Sequence, residues 1–240
     1  ASEIGPDPEI GVTEKLDTYV PGDITLMNAQ LGKVQLSEII DKPTILSFVY
    51  YRCPGICSPL MDGIASVIDR SKLELGEDYQ VFTVSFDPSE DLGLAQKKKT
   101  NYLGLMEKKE AAKNGWFFFT GDSANIAKFT ESAGFHYKRT GYDFVHSAGL
   151  IFLKKKKKIT RYLNGISFLP FECRMAVIEA SEGKSGPTIN KVLQYCYSFD
   201  PEGQEYVLNI TRVSGIIIIF ITLSIFLYLV LKPVVKRKTA

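Results

Sequence analysis

The chain has 240 residues, of which 45% are hydrophobic and 23% are charged, and its formal net charge is +2. This length and apolar content support one sizeable globular domain with an accessory segment. The nearly balanced charge gives no global argument for nucleic-acid binding. The sequence starts at Ala1 without a methionine and shows no signal peptide, which is typical of a mature chain whose leader was removed or of a trimmed chain.

The first part of the chain is predicted to be an arm followed by a hairpin. Residues 1–22 are rich in proline, glycine and acidic residues, and we expect them to form an extended N-terminal arm. Short apolar patches on either side of a turn predict a hairpin over 23–36. This hairpin would begin the main domain, whose predicted limits are 23–183.

A strand, a cysteine loop and a helix follow the hairpin. The apolar, β-branched and aromatic run at 44–51 predicts a buried strand. A Cys-Pro-Gly-Ile-Cys segment then forces a turn from Cys53 to Cys57. Pro59 suits the first turn of a helix, and apolar residues recur at helical spacing after it. Both thiols would therefore lie at a helix N-terminus, where free N–H groups and the helix dipole favour thiolate over thiol.

Strands and helices alternate through the rest of the domain. The predicted strands are 80–86, 116–120, 135–138, 142–153 and 159–163, and the predicted helices are 92–109, 124–133 and 168–180. Five consecutive lysines at 154–158 separate the last two strands. Such a run is typical of a solvated turn, and a docking patch for an acidic partner is the alternative. The order resembles the thioredoxin fold, which predicts an α/β protein with a central mixed sheet and an N-terminal hairpin extension.

An apolar segment near the C-terminus is predicted to add one transmembrane helix to this fold. Residues 213–231 carry no charge and approach the roughly 20 apolar residues that cross a bilayer. Basic residues in the tail 232–240 would be cytoplasmic by the positive-inside rule, which places the large domain on the opposite side. Residues 184–212 would then be a tether. A buried core helix is the alternative for the apolar segment.

The chain has four cysteines, namely Cys53, Cys57, Cys173 and Cys196. On the outer side of a membrane they could form disulfides, and four cysteines allow three pairings. Three residues separate the first two, one more than in thioredoxin-type reductants, and the longer loop would spread the sulfurs around a metal. Such a pair can exchange disulfides or hold a soft metal. No Cys-x-x-Cys-His sequence supports covalent haem attachment.

Three motifs, in this order, resemble the Sco/SenC family of thioredoxin-like, membrane-tethered copper proteins that help to assemble cytochrome c oxidase. They are the Cys53–Cys57 loop, Asp87-Pro88 after the next strand, and His146 in a Phe-Val-His-Ser sequence before an apolar strand. The resemblance covers about 23–180. It implies that Cys53, Cys57 and His146 bind a copper ion, and that the domain lies in the periplasm at the bacterial inner membrane. Two thiolates and one imidazole also suit copper chemically, with zinc as the alternative.

Other candidate side chains receive different predictions. His136 matches no motif and is expected at the surface. Asp87 is either an ordinary turn and helix cap or, because the corresponding family loop lies near the copper site, a residue that supports the ligands. Met61 has a soft sulfur but is expected to pack in the core. Metal binding requires reduced thiols, so the redox state would control loading.

Two features depart from the family pattern. Cys173 and Cys196 have no counterpart in it, and we predict that they form a structural disulfide between the closing helix and the tether. Closing such a loop contributes roughly 3 kcal/mol in the chain-entropy model. A second metal or redox pair is the alternative. The predicted membrane span is at the C-terminus, whereas family members are tethered by an N-terminal span.

Three functions are compatible with these features. The first is a copper chaperone that supports metallation of the binuclear copper site of a cytochrome c oxidase by ligand exchange. Its expected partners are the copper-bearing oxidase subunit, other respiratory subunits and the lipid bilayer. The second is a thiol–disulfide reductase of oxidase cysteines, with Cys53 as nucleophile and Cys57 as its redox partner. The third is an accessory structural subunit of a respiratory oxidase complex.

Overall fold

Alternating strands and helices make up the first of two units into which the chain divides, Ala1–Thr188. The structure, a computed structural model, describes residues 10–141, 143–185, 197–200 and 205–208, and then 215, 218, 221–226 and 228. The described strands of the first unit are β1 (Gly11–Val12), β2 (Thr25–Asn28), β3 (Gly32–Gln35), β4 (Thr44–Val49), β5 (Gln80–Ser85), β6 (Trp116–Thr120), β7 (Phe135–Thr140), β8 (Asp143–His146), β9 (Gly149–Leu153) and β10 (Ile159–Asn164). The described helices are α1 (Leu36–Ile39), α2 (Cys57–Arg70), α3 (Leu92–Leu105), α4 (Lys109–Gly115), α5 (Ser123–Ser132) and α6 (Pro170–Glu182).

The centre of this unit is a mixed sheet of seven strands in the order β10-β9-β4-β5-β6-β2-β3. Strands β4, β5 and β6 are parallel, and β9 and β2 run antiparallel on either side of them. Every residue of β4 and β5 is buried, as expected for parallel strands that are covered on both faces. The predicted α/β class, the central mixed sheet and the β2–β3 hairpin are therefore confirmed.

The predicted helix over 92–109 corresponds to α3, which ends earlier, at Leu105, and a separate helix, α4, begins at Lys109. Helix α3 begins as expected, because the Asp91 side chain accepts the N–H of Leu94 at 2.8 Å and caps the first turn. It ends because the carboxylate of Asp69, on α2, accepts the backbone N–H groups of Glu107 and Lys108 at 3.2 and 2.9 Å. These N–H groups would otherwise continue the helix.

The predicted strand over 142–153 is also divided, and the division determines where His146 lies. Strand β9 joins the central sheet between β4 and β10, and four of its five residues are buried. Strand β8 pairs instead with β7, in a separate sheet of order β1-β7-β8, and its residues alternate in exposure. We call β7 and β8 together the histidine hairpin.

The N-terminal arm covers the edge of the central sheet formed by β10. The N–H of Asp17 donates to the carbonyl of Ile159 at 3.0 Å, and the N–H of Ile159 donates to the carbonyl of Thr18 at 2.8 Å. The lysine run forms the turn between β9 and β10, and Lys158 pairs with Asp17 at 2.6 Å. The arm therefore occupies the backbone groups of Ile159, at the start of this edge strand. The docking role of the lysine run stays a prediction.

The second unit, Ile189–Ala240, contains an antiparallel pair of strands, β11 (Tyr197–Asp200) and β12 (Glu205–Leu208), within the predicted tether. Among the described residues, no helix combines the length and the apolar content that a bilayer requires. The predicted fold included a transmembrane helix over 213–231, and this part of the prediction is wrong. The single-pass topology that depended on this helix is unsupported, and the tail 232–240 lies outside the described residues.

Candidate metal centre

The cysteine loop joins the end of β4 to the start of α2. Its turn begins where the N–H of Cys53 donates to the carbonyl of Tyr50 at 3.1 Å. The backbone N–H groups of Gly55 and Cys57 then donate to Sγ of Cys53 at 3.3 and 3.5 Å, which fixes the sulfur within the loop. Cys57 is 1% exposed and Cys53 is 9% exposed, so Cys53 is the more accessible residue of the two.

His146 is the last residue of β8, and its ring faces the cysteine loop. Its Nε2 lies 3.5 Å from Sγ of Cys57, although 89 positions separate the two residues in the chain. The two cysteine sulfurs and a ring nitrogen of His146 all lie within 4.8 Å of one another. The structure therefore brings together Cys53, Cys57 and His146, the three residues that the resemblance implies as metal ligands.

The hydrogen bond on the other side of the imidazole assigns its tautomer. Nδ1 of His146 lies 2.7 Å from the carbonyl oxygen of Ser147. Because a carbonyl oxygen can only accept, Nδ1 carries the proton in this contact. Nε2 then has a free lone pair on the side of the cysteines. A backbone carbonyl on one ring nitrogen is a common way of orienting an imidazole that binds metal through the other.

Aromatic rings enclose the imidazole. The ring centroid of His146 lies 5.0 Å from that of Phe86, 5.7 Å from that of Tyr50 and 6.3 Å from that of Phe135. Burial among these rings lowers the pKa of His146, although the hydrogen bond to Ser147 and the charge of Asp143 oppose the shift. The imidazole is therefore neutral at pH 7 and does not need to lose a proton before it binds metal.

The buried thiol behaves differently from the sequence expectation. Burial raises the pKa of Cys57, and the hydrogen bond and charge of Cys53 and the charge of Glu90 raise it further. The helix N-terminus was expected to favour thiolate, but for Cys57 the loss of solvent outweighs the helix dipole. The free Cys57 thiol is protonated at neutral pH, so a metal that binds this sulfur must displace its proton.

A polar contact attaches the histidine hairpin to the end of β4. The hydroxyl of Tyr50 donates to Oδ1 of Asp143, the first residue of β8. The Tyr50 ring also packs against Phe144, with ring centroids 5.2 Å apart. Sequence reasoning missed Tyr50 and Asp143 as supporting residues. Their pairing depends on how two sheets meet, for which a single sequence contains no signal.

Glu90 is a third residue whose role the sequence does not reveal. The segment 87–91 predicts a strand end and a helix cap, and Asp91 performs the capping. Glu90 is 4% exposed, and its carboxylate binds the backbone immediately before Cys53. An acidic residue in a loop is normally solvated, so its burial could be learned only from the structure.

The other sequence candidates lie outside the three-residue donor group. Met61 is fully buried in the core, as predicted. Asp87 is 7% exposed, and its Oδ1 accepts the N–H of Ser89 at 2.9 Å, which is the predicted turn interaction. Nε2 of His136 lies 3.2 Å from the hydroxyl of Thr13 on the N-terminal arm.

Cys173 has a free thiol that is 1% exposed, on the inner face of α6. Burial raises its pKa, so it is protonated at neutral pH. Cys196 lies outside the described residues. The predicted disulfide between the two cysteines is contradicted by the free thiol of Cys173.

Two soft sulfurs and one neutral imidazole nitrogen converge on one point beside the parallel strands of the central sheet. This donor set suits a soft, low-coordinate ion such as copper, and it lacks the four protein ligands of a closed structural zinc site. Fold and site together define a thioredoxin-like protein with a candidate metal centre at its cysteine loop.

The family follows from comparison with known proteins. The sequence model of the SCO1/SenC family matches residues 13–171, and the chain belongs to this family. The resemblance identified from the three motifs is thereby confirmed. No curated protein matches the chain at a significant level.

Solved structures agree with this assignment. A protein from Aquifex aeolicus VF5 with a provisional electron-transfer assignment is 28% identical, with a TM-score of 0.63 over 71% of this chain and 96% of that one. ScoI from Arabidopsis thaliana, solved with copper bound, is 19% identical, with a TM-score of 0.55 over 68% and 99%. BsSco, for which a disulfide switch is described, is 21% identical, with a TM-score of 0.56 over 71% and 98%. The thioredoxin-like fold is confirmed, and copper, the expected cofactor, agrees with the donor set and with the ScoI structure.

Proposed function

We propose that the protein is a copper chaperone that binds one copper ion through Sγ of Cys53, Sγ of Cys57 and Nε2 of His146. The observation that carries the proposal is the convergence of these donors to within 4.8 Å of one another. Two of them are on the cysteine loop and the third is on a different sheet. Such a convergence of the two cysteines with one of the two histidines in the chain supports a binding role.

The residues supply different parts of the binding chemistry. Nε2 of His146 offers a lone pair at neutral pH because Nδ1 holds the ring proton against Ser147. Cys57 must release its proton to solvent as copper enters, because the lone pair on Nε2 of His146 is needed for the ion. Cys53, the more exposed residue of the two, is the ligand that an incoming donor from a client can replace first. Copper would then move by exchange between soft donors.

We further propose that the recipient is the binuclear copper site of a cytochrome c oxidase, in its copper-bearing subunit. Support comes from family membership and from BsSco, which is described as a member of a family of cytochrome c oxidase assembly proteins. The periplasm is the compartment that we propose for this transfer. Contact with other respiratory subunits remains part of the same proposal.

Metal binding by single-histidine variants tests the proposed ligand set. The chain has two histidines, so His136→Ala is a matched control for His146→Ala. We expect the reduced protein to bind one copper ion, His136→Ala to bind it equally, and His146→Ala to lose about 100-fold in affinity. Copper affinity is measured by competition with a chelator, with zinc in a parallel titration. Equal copper binding by both variants, or a preference for zinc, would contradict the proposal.

A thiol–disulfide reductase is the second candidate, because the two thiols differ in access. Cys53 is the more exposed and accepts two backbone N–H bonds, as a nucleophilic cysteine would, whereas Cys57 lies behind it as a resolving thiol. His146→Ala separates the two functions, because disulfide exchange does not require the third ligand. Rapid reduction of a model disulfide that survives in His146→Ala would favour the reductase; slow reduction by the wild-type protein would exclude it.

A further inference from the structure

The backbone immediately before Cys53 is held by a buried carboxylate. Oε2 of Glu90 accepts the N–H of Tyr51 at 2.6 Å, and Oε1 accepts the N–H of Arg52 at 2.8 Å. The hydroxyl of Ser85, at the end of β5, donates to Oε2 at 2.6 Å. Glu90 therefore connects the end of β5 to the backbone that follows β4. The second N–H that it binds, that of Arg52, directly precedes the proposed ligand Cys53.

The environment of Glu90 suits an ionised carboxylate. Its three neighbours are all donors, and an ionised carboxylate can only accept. None of the ion pairs between described residues includes Glu90. Its negative charge is therefore neither paired nor exposed to screening solvent, since the side chain is 4% exposed. A charge in such a position acts over a longer range than a surface charge does.

This charge is felt at the cysteine loop. The two carboxylate oxygens of Glu90 bond to the backbone N–H groups of the two residues that directly precede Cys53. A buried anion near a metal site also acts on the bound ion. With two thiolates and a neutral imidazole, a Cu(I) complex keeps one negative charge, whereas a Cu(II) complex is neutral. A neighbouring anion destabilises the first relative to the second.

We propose that Glu90 is a positioning residue that fixes the approach to Cys53 and shifts the copper preference of the site from Cu(I) towards Cu(II). The proposal rests on the proposed copper function and adds a determinant of which oxidation state the site retains. Glu90 itself does not contact the ion. The residue acts through the backbone of Tyr51 and Arg52 and through its charge.

The affinities of the full chain for Cu(I) and Cu(II), each measured by chelator competition, test the electrostatic part. We expect Glu90→Gln, which removes the charge, to raise the ratio of Cu(I) to Cu(II) affinity about tenfold. For a one-electron couple this equals a rise of about 59 mV in reduction potential. Asp91→Asn is the matched control, because it removes a charge from an exposed cap while keeping the cap. Its ratio should stay within about twofold of the wild-type value.

Glu90→Asp separates the charge from the hydrogen bonds. It keeps the charge but is too short to reach both N–H groups, so amide hydrogen exchange at Tyr51 and Arg52 should accelerate while the copper ratio stays near that of the wild type. An unchanged ratio in Glu90→Gln would overturn the proposal, as would an equal change in Glu90→Asp. If Glu90→Gln does not fold, Glu90→Asp decides: faster amide exchange at Tyr51 and Arg52 supports the proposal, and exchange equal to that of the wild type overturns it. Absence of copper binding by the wild type would instead defeat the proposed function.

Discussion

The cysteine loop and the histidine hairpin supply ligands to one proposed site, but they are supported in different ways. The loop follows β4, a fully buried strand hydrogen-bonded on both sides within the central sheet, and it is fixed further by Glu90. The hairpin belongs to a separate small sheet, and its strand β8 has no fully buried residue. One half of the site is thus part of the core, and the other half is attached to it.

The attachment of the hairpin consists mainly of aromatic packing and one polar contact. The ring of Phe86 contacts both Phe144 and His146, and Tyr50 donates its hydroxyl to Asp143. We infer that disturbing the loop removes ligands outright, whereas disturbing the attachment weakens the site by displacing His146. The following predictions test this difference in decreasing order of expected effect.

The largest effect is expected when the loop loses a ligand. Cys57→Ala should reduce copper affinity about 1,000-fold, because one of three strong donors is removed. Cys173→Ala is a matched control, since both cysteines are 1% exposed and both substitutions remove a buried sulfur. We expect copper affinity in Cys173→Ala to equal that of the wild type, as measured by chelator competition. A similar loss in both variants would mean that general destabilisation explains the result.

The next effect concerns the aromatic attachment. Phe86→Ala should lower the free energy of unfolding by about 3 kcal/mol and also weaken copper binding, because the ring that connects the hairpin to the core is lost. Phe82→Ala, in β5 and equally buried, should cost similar stability. Its copper affinity should be unchanged, because Phe82 packs against Phe117 and Phe119 away from His146. Urea unfolding and copper titration of both variants make the comparison, and equal copper affinities would contradict it.

A smaller effect is expected from the polar contact. Tyr50→Phe keeps the ring packing and removes only the hydroxyl that donates to Asp143. We expect a loss of about 1 kcal/mol in the free energy of unfolding and up to about fivefold in copper affinity. Tyr19→Phe, at a tyrosine that is 62% exposed, should change neither quantity. If Tyr50→Phe also leaves both quantities unchanged, this contact does not help to hold the hairpin.

The smallest effect is expected in how the free energy of unfolding of the metal-free protein changes with pH. Burial lowers the pKa of His146 below its ordinary value of 6.5, so the unfolded chain takes up this proton more readily than the folded one. The contribution of neutral His146 to the free energy of unfolding is therefore fully present above pH 6.5. It is lost as the pH falls through the lowered pKa of the folded protein. We expect the free energy of unfolding in urea to fall from pH 7 to pH 5, less steeply in His146→Ala than in His136→Ala. Equal slopes would show that His146 does not contribute.

The loop was predictable from sequence because its signals are local. An apolar run, a Pro-Gly turn between two cysteines and a proline in the first helical turn specify a strand, a loop and a helix without reference to distant residues. The same strong local pattern supports β5 and β6. The approximate positions of the central strands therefore agree with the structure, and their continuous apolar composition explains why.

The hairpin was less predictable because its structure depends on tertiary pairing. The run over 142–153 looks like one strand, and only the competing partners β7 and β4 divide it before Gly149. The positions of Tyr50, Asp143 and Glu90 likewise depend on contacts between elements. His146 was found only because of its motif.

The coordination of bound copper is the most direct test of the account. X-ray absorption spectra of the reduced, copper-loaded protein report the number and type of atoms bonded to the ion. We predict two sulfur neighbours and one imidazole nitrogen, with the nitrogen lost in His146→Ala and retained in His136→Ala. Copper bound by sulfur alone in the wild-type protein, or an unchanged spectrum in His146→Ala, would show that the hairpin does not complete the site.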